Sequence, residues 1–183
     1  MMEEKSMTLN KNSMMTAIPV GGAIVLISIV LYVFDLDTRG FWGYLIYAIL
    51  LAGIIWGTKK FRDQYNKGLL TYGQGIKSGL LIGLYTGIIN AVYTFVFYKF
   101  FAPEQISVLL QKTEEQLLEK SPDMTDQQLD MALSMTEKFM TPGFMSFGSL
   151  INTLIAALLL SLIVAIFLKR DVPRPIQERI IIS

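Results

Sequence analysis

Four stretches of the sequence carry no charged residue and are long enough to cross a lipid bilayer as helices. They are residues 12–34, 40–58, 78–98 and 139–168. A hydrocarbon core of roughly 30 Å takes about 20 helical residues to cross, and a backbone in lipid has to close its own hydrogen bonds. We therefore expect an all-α integral membrane bundle with one domain over residues 1–183. The expected spans are about 14–34, 41–58, 78–101 and 144–168, with a helical insert at 102–143.

The composition supports this class and excludes many kinds of chemistry. Charged residues make up 17% of the chain, below the roughly 25% of a soluble domain. There is no cysteine and no histidine, which excludes disulfides, thiolate chemistry and the usual zinc sites. The four stretches also lack the Asp, Glu, Lys or Arg that ion-coupled transport uses. We therefore predict no catalytic residue, no cofactor and no metal site, and we do not expect an enzyme.

The positions of the basic residues indicate how the chain is oriented. Most Lys and Arg residues fall near the N-terminus, between the second and third spans, and in the C-terminal tail, whereas the first connection holds only Arg39. Cytoplasmic loops of membrane proteins are enriched in Lys and Arg. Both termini and residues 59–77 are therefore predicted to be cytoplasmic, and residues 102–142 external, in a multi-pass protein of the cytoplasmic membrane.

Small residues recur at every fourth position of the third span. Gly75, Gly79, Gly83 and Gly87 place a strip with almost no side chain on one helix face, a glycine zipper. Such strips allow helices to approach closely in lipid, where no hydrophobic effect drives them together. The fourth span has a matching series of small residues at 149, 153, 157, 161 and 165. The spacing leaves open whether the strip packs within one chain or between two copies.

A few polar side chains fall at membrane depth. Asn90, Tyr93 and Asn152 are the candidates for polar contacts inside the bilayer. The two asparagines are able to hydrogen-bond to each other across the bundle, and structural packing is the favoured interpretation. Contact with a substrate is the alternative.

The densest basic cluster lies between the second and third spans. Basic residues next to an anionic leaflet attract its headgroups by about 1 kcal/mol each, so lipid headgroups are the simplest partner. The sharper hypothesis is a docking surface for a soluble protein or a phosphorylated headgroup. Its residues are Lys59, Lys60, Arg62 and Asp63. The net charge of +1 gives no reason to expect nucleic acid as a partner.

Residues 102–142 form the one sizeable segment outside the predicted spans. Apolar residues follow Pro103 at helical spacing, and a second helical pattern begins after Ser121 and Pro122. Thr125 and Gln128 have the spacing of a capping box that opens this second helix. We expect an acidic helical hairpin at the outer surface, with Pro142 interrupting its second helix.

These motifs resemble a known family. The arrangement of short motifs, a glycine-rich third span and a long helical insert before the last span is similar to domain of unknown function 4199. The motifs are Phe61-Arg62-Asp63, Gly68, Thr71-Tyr72-Gly73-Gln74-Gly75 and Pro103. The resemblance covers almost the whole chain. It implies a bacterial four-span protein of the inner membrane, mainly in Bacteroidetes, and it brings no activity and no site residue with it.

Two functions are compatible with these patterns. The favoured one is a non-catalytic scaffold or accessory subunit of an inner-membrane assembly, because the spans carry packing strips and no ionisable groups. The alternative is a handler or transporter of a lipid or a lipid-linked substrate, which would bind between the spans through Asn90, Tyr93 and Asn152.

Overall fold

The computed structural model describes residues 2–36 and 41–170, with side chains from residue 9 onward. Within these ranges the chain forms six α-helices and no β-strand. They are α1 (Met2–Val33), α2 (Phe41–Lys60), α3 (Tyr72–Val96), α4 (Glu104–Lys120), α5 (Asp126–Phe139) and α6 (Pro142–Leu168). Short π-helical segments extend α2 over Phe61–Tyr65 and α3 over Phe97–Phe101. Arg39, most of the predicted first connection and the tail after residue 170 lie outside the described residues.

Four segments are long and apolar enough to span a membrane. They are Leu9–Val33, Phe41–Tyr65, Tyr72–Phe101 and Pro142–Leu168. The prediction of an all-α protein with four membrane-spanning helices is confirmed. Helix α3 begins ahead of its predicted span because a capping box fixes its first turn. The Thr71 hydroxyl accepts a hydrogen bond from the Gln74 N–H, and the Gln74 side chain accepts one from the Thr71 N–H.

Helix α3 is central in the bundle, since it contacts α1, α2 and α6, and its most extensive contact is with α6. Buried apolar residues from all four membrane-spanning helices form one core: Val20, Ile24, Leu50, Ile54, Ile82, Ala157 and Val164. Because lipid is as apolar as these side chains, the helices are held together by close packing and not by exclusion of water.

The glycine strip of α3 faces α6 within the same chain. A Cβ atom added at Gly79 would overlap the Ser161 side chain, and one added at Gly83 would overlap Ala157. The other two contacts of the strip are Gly75 with Ala165 and Gly87 with Leu150. The lack of side chains at these positions therefore sets how closely the two backbones approach.

Helices α4 and α5 connect the end of α3 to the start of α6. The capping box predicted at the start of α5 is confirmed, with Thr125 and Gln128 exchanging both of its hydrogen bonds. Pro142 has a different role from the predicted one, because α5 has already ended at Phe139 and Pro142 lies in the first turn of α6. A proline suits that position, where its missing N–H leaves no helical hydrogen bond unmade.

Candidate functional site

A cavity of about 430 Å³ lies among α1, α2, α3 and α6. It occupies the half of the bundle next to the α4–α5 insert, between the C-terminal parts of α1 and α3 and the N-terminal parts of α2 and α6. Volumes of roughly 300 to 1,000 Å³ are typical of small-molecule sites in proteins. The space is therefore large enough for a small polar molecule or for the headgroup of a lipid.

Most side chains that line the cavity are polar, and none of those described carries a charge. The hydroxyl and amide groups belong to Ser28, Tyr47, Asn90, Tyr93, Thr94, Tyr98, Ser149, Asn152 and Thr153. All three polar contacts predicted from the sequence, Asn90, Tyr93 and Asn152, are among these lining residues. Asn90, Tyr93 and Thr94 share one face of α3 because residues three and four positions apart lie together on a helix.

Asn90 has an unsatisfied hydrogen-bond acceptor inside the protein. Its side chain is 8% exposed, and its Oδ1 atom has no hydrogen-bond partner. One turn earlier on α3, the buried Thr86 hydroxyl also has no partner. Leaving a buried polar atom unpaired costs on the order of 1–3 kcal/mol. These two unpaired polar atoms on α3 therefore lower the stability of the bundle beside the cavity.

The two asparagines that line the cavity do not hydrogen-bond to each other. Asn152 Oδ1 instead accepts a hydrogen bond from the Tyr47 hydroxyl at 3.3 Å, which joins α6 to α2. The bond that the two asparagines are able to form is absent. Asn152 Oδ1 is paired with α2, whereas Asn90 Oδ1 is buried without a partner.

An apolar groove of about 620 Å³ runs along α6 beside the same cavity. Its lining residues are Tyr47, Phe144, Phe147, Gly148, Ile151, Asn152, Ile155, Ala156 and Leu159. Tyr47 and Asn152, which are joined by their hydrogen bond, therefore line both spaces. Phe147 and Ile155 are more than half exposed, as expected of residues on a lipid-facing surface.

The residues of the predicted docking surface divide into exposed and buried ones. Lys59 and Asp63 are exposed and Lys60 is half-buried, but Arg62 is only 7% exposed. The Arg62 guanidinium donates to the two carboxylate oxygens of Asp63 at 2.6 and 3.1 Å. It also donates to the Leu168 carbonyl at 3.4 Å. Arg62 is thus engaged inside the protein, and the lysines are the accessible cations of this segment.

The chain between Arg62 and α3 is fixed by hydrogen bonds. The Asn66 side chain donates to the Leu69 carbonyl at 2.5 Å, and Gly68 has a φ of 77°, a conformation that favours glycine. The backbones of Leu70 and Arg170 exchange two hydrogen bonds, at 3.0 and 2.8 Å. This pairing ties the start of α3 to the end of α6.

Sequence reasoning missed a second polar cluster, at the opposite end of the bundle from the cavity. Asn12, Ser13 and Thr16 are each at most 2% exposed. The Asn12 amide donates to the Gly57 carbonyl at 3.0 Å, while its Oδ1 and the Ser13 hydroxyl have no partner. In a sequence, polar residues at the start of an apolar run indicate where a membrane span begins. In the structure α1 extends beyond these residues to Met2, so they are packed inside the protein and do not mark the helix end.

The groups at these sites are suited to binding a ligand. In the described part of the chain, no group of three or more Asp, Glu, His or Cys is arranged to hold a metal ion. The cavity offers hydroxyl and amide groups, and the groove offers apolar contact. Together they suit a molecule that has one polar and one apolar part.

Comparisons of the chain with curated proteins and with solved structures find no match. A family described as "Protein of unknown function (DUF4199)" matches residues 16–170. The matched range contains every residue of the cavity and the groove, and it includes the pairing of Leu70 with Arg170. The match confirms the resemblance that the motifs indicated: this chain belongs to the DUF4199 family.

Proposed function

We propose that this protein binds the uncharged polar headgroup of a membrane lipid, or of a lipid-linked molecule, in the cavity among α1, α2, α3 and α6. The observation that carries the proposal is a cavity of about 430 Å³ whose described lining is mostly polar and uncharged, and which includes Asn90. Of the two functions compatible with the sequence, this geometry favours the lipid handler over the scaffold.

The lining groups favour an alcohol, a sugar or an amide as the headgroup. Asn90 contributes a side-chain amide, which pairs with a hydroxyl or with another amide. The other polar lining groups are hydroxyls and amides, which both donate and accept. No cation is present among the described lining residues to pair with a phosphate or a carboxylate. Burying an unpaired charge costs far more than burying a hydroxyl that is hydrogen-bonded.

The proposed location is the bacterial inner membrane, with both termini and residues 59–77 in the cytoplasm. The excess of Lys and Arg in that segment supports this orientation. The cavity lies at the other end of the bundle, next to the insert, so in the proposed orientation it would be in the outer half of the bilayer. The ligand would accordingly be taken from the outer leaflet.

Lipid analysis of the purified protein tests the proposal. Protein extracted in a mild detergent should retain an uncharged lipid in a fixed ratio to the chain, measured by mass spectrometry. Asn90→Leu should lower this ratio several-fold, because leucine keeps the approximate size of the side chain but accepts no hydrogen bond. The control is Val92→Leu, at a 60% exposed position of the same helix, which should retain the parent ratio.

Two results would contradict the proposal. One is a parent protein that retains no uncharged lipid. The other is an Asn90→Leu protein that melts at the parent temperature and still retains the parent amount of lipid.

A scaffold role is the second candidate, and the exposed lysines in and beside the connection between α2 and α3 favour it. Lys59 near the end of α2, Lys67 in the connection and Lys77 in α3 are exposed, and the connection is fixed by the pairing of Leu70 with Arg170. A surface that is already ordered loses little conformational entropy on binding. Its positive charge suits anionic headgroups or an acidic partner protein.

A further inference from the structure

The cavity and the groove share one boundary, formed by Tyr47 and Asn152. The Tyr47 side chain is 42% exposed, and its hydroxyl donates to Asn152 Oδ1 at 3.3 Å. This single hydrogen bond therefore lies between an uncharged polar space inside the bundle and an apolar groove on its outside. Because this hydrogen bond joins two partly exposed side chains, it is better suited to act as a gate than as a structural brace.

We infer that the ligand is a lipid with a long hydrocarbon chain that reaches the cavity laterally, between α2 and α6. This inference rests on the proposed function, in which the cavity binds an uncharged headgroup. The headgroup lies in the cavity, the chain lies in the groove along Phe144–Leu159, and the headgroup passes the Tyr47–Asn152 pair on its way in.

The dimensions and the lining of the groove match a hydrocarbon chain. At a rise of 1.5 Å per residue, α6 from Phe144 to Leu159 is about 22 Å long, which exceeds the roughly 15 Å of one leaflet and so has room for a chain of leaflet length. Apart from Tyr47 and Asn152, the side chains that line it are apolar, and none of the described ones is charged. A chain lying along it would contact aromatic and aliphatic side chains over its whole length.

The polar pair explains why this groove is a binding site and not merely a lipid-facing surface. Polar groups exposed to hydrocarbon are costly, since no water is present to satisfy them. Tyr47 and Asn152 bond each other in the structure, and the hydroxyls of an incoming headgroup would satisfy both once that bond is broken. An acyl chain alone has no polar group that could hydrogen-bond to Tyr47 or Asn152.

Photolabelling in nanodiscs tests this inference directly. The probe is a 1,2-diacylglycerol that carries a diazirine in one acyl chain, because its headgroup is a single uncharged hydroxyl. We expect saturable labelling on α6 between Phe144 and Leu159. Unlabelled diacylglycerol should compete for it, and phosphatidylglycerol, which carries a charged phosphate, should not.

A pair of glycine variants tests whether the chain lies in the groove. Gly148→Leu adds a side chain in the groove without a clash, because a Cβ atom there has no heavy atom within 4 Å. It should reduce the saturable labelling several-fold. Gly22→Leu on α1 is the matched control, since its added Cβ is equally unobstructed and the residue lines neither space. It should label like the parent.

Removal of the Tyr47 hydroxyl tests the gate. Tyr47→Phe keeps the ring but removes the donor to Asn152, so bound probe should exchange with unlabelled diacylglycerol several-fold faster than in the parent. An unchanged exchange rate would overturn the gate.

The remaining outcomes separate this inference from the proposed function. Saturable labelling that maps to other helices, or that Gly148→Leu leaves intact, would overturn the lateral route while an uncharged lipid remains bound. The absence of any saturable labelling, together with no retained uncharged lipid, would overturn both.

Discussion

Gly79 lies against α6 at a point where an added Cβ atom would meet both the Cβ and the Oγ of Ser161. Ser161 is itself buried, and its hydroxyl already donates to the Ala157 carbonyl one turn earlier. The serine side chain therefore cannot move aside without losing that hydrogen bond. At this residue the close approach of two backbones depends on the absence of a side chain.

We expect Gly79→Ala to lower the thermal stability of the protein in detergent, by about 1–3 kcal/mol, the usual cost of overpacking. The measurement is a thermal melt of the purified variant. Gly22→Ala is the control, because it makes the same chemical change in a helix where the added Cβ meets no atom within 4 Å. It should melt at or above the parent temperature, since alanine favours helix over glycine by about 1 kcal/mol. Identical melting of the two variants would show that the strip does not limit helix packing.

Single residues were predictable where their type was unusual for its surroundings. Asn90 and Asn152 are conspicuous because amide side chains are rare in apolar spans. The partner of Asn152 was not predictable, since its bond to Tyr47 joins positions 105 residues apart and depends on which helices are neighbours. Arg62 resembled one more surface cation in a basic cluster, and only the folded structure shows its guanidinium facing Asp63 and the end of α6.

At the scale of elements, the four membrane-length helices were predictable because lipid requires long apolar runs with internally satisfied backbones. The residues at which these helices begin and end were less predictable. The spacing of Thr71 and Gln74 is a capping-box signal that marks the true start of α3. The π-helical segments Phe61–Tyr65 and Phe97–Phe101 have no comparable signal in the sequence.

The exposed lysines in and beside the connection between α2 and α3 yield a prediction. Reversing Lys59, Lys67 and Lys77 to glutamate should weaken retention of anionic lipid or an acidic partner by about 1 kcal/mol per residue at low salt. Arg62 is left unchanged because its charge is used inside the protein. The readout is phosphatidylglycerol retained per chain, by mass spectrometry. The effect should fade as salt rises, since the Debye length falls from about 10 Å at 0.1 M to about 3 Å at 1 M.

A matched triple variant on the insert provides the control. Lys112, Lys120 and Lys138 are also exposed, and their reversal changes the net charge by the same amount at the other end of the bundle. This variant should retain anionic lipid like the parent. Equal losses from the two triple variants would mean that net charge, and not the α2–α3 connection, controls the association.

As a whole molecule, the bundle has two chemically different ends. One carries the exposed lysines and the buried Asn12 cluster, and the other carries the uncharged cavity and the acidic insert. The sequence was sufficient to predict this charge asymmetry, because it depends only on where Lys and Arg fall along the chain. The cavity was not predictable from the sequence, because a space among four helices depends on how each helix is rotated about its own axis.

The orientation of these ends in the membrane can be measured with single cysteines, since the chain has none of its own. Gly73 and Gln127 are suitable positions because both are exposed. A Cβ at Gly73 meets no heavy atom within 4 Å, and neither residue supplies a capping side chain. In intact spheroplasts an impermeant maleimide should label Gln127→Cys and spare Gly73→Cys, because the basic segment is predicted to be cytoplasmic.

Permeabilised cells are the control, in which both should react equally. The opposite pattern would reverse the topology and move the lipid site to the inner leaflet, so that its ligand would come from the cytoplasmic side of the membrane.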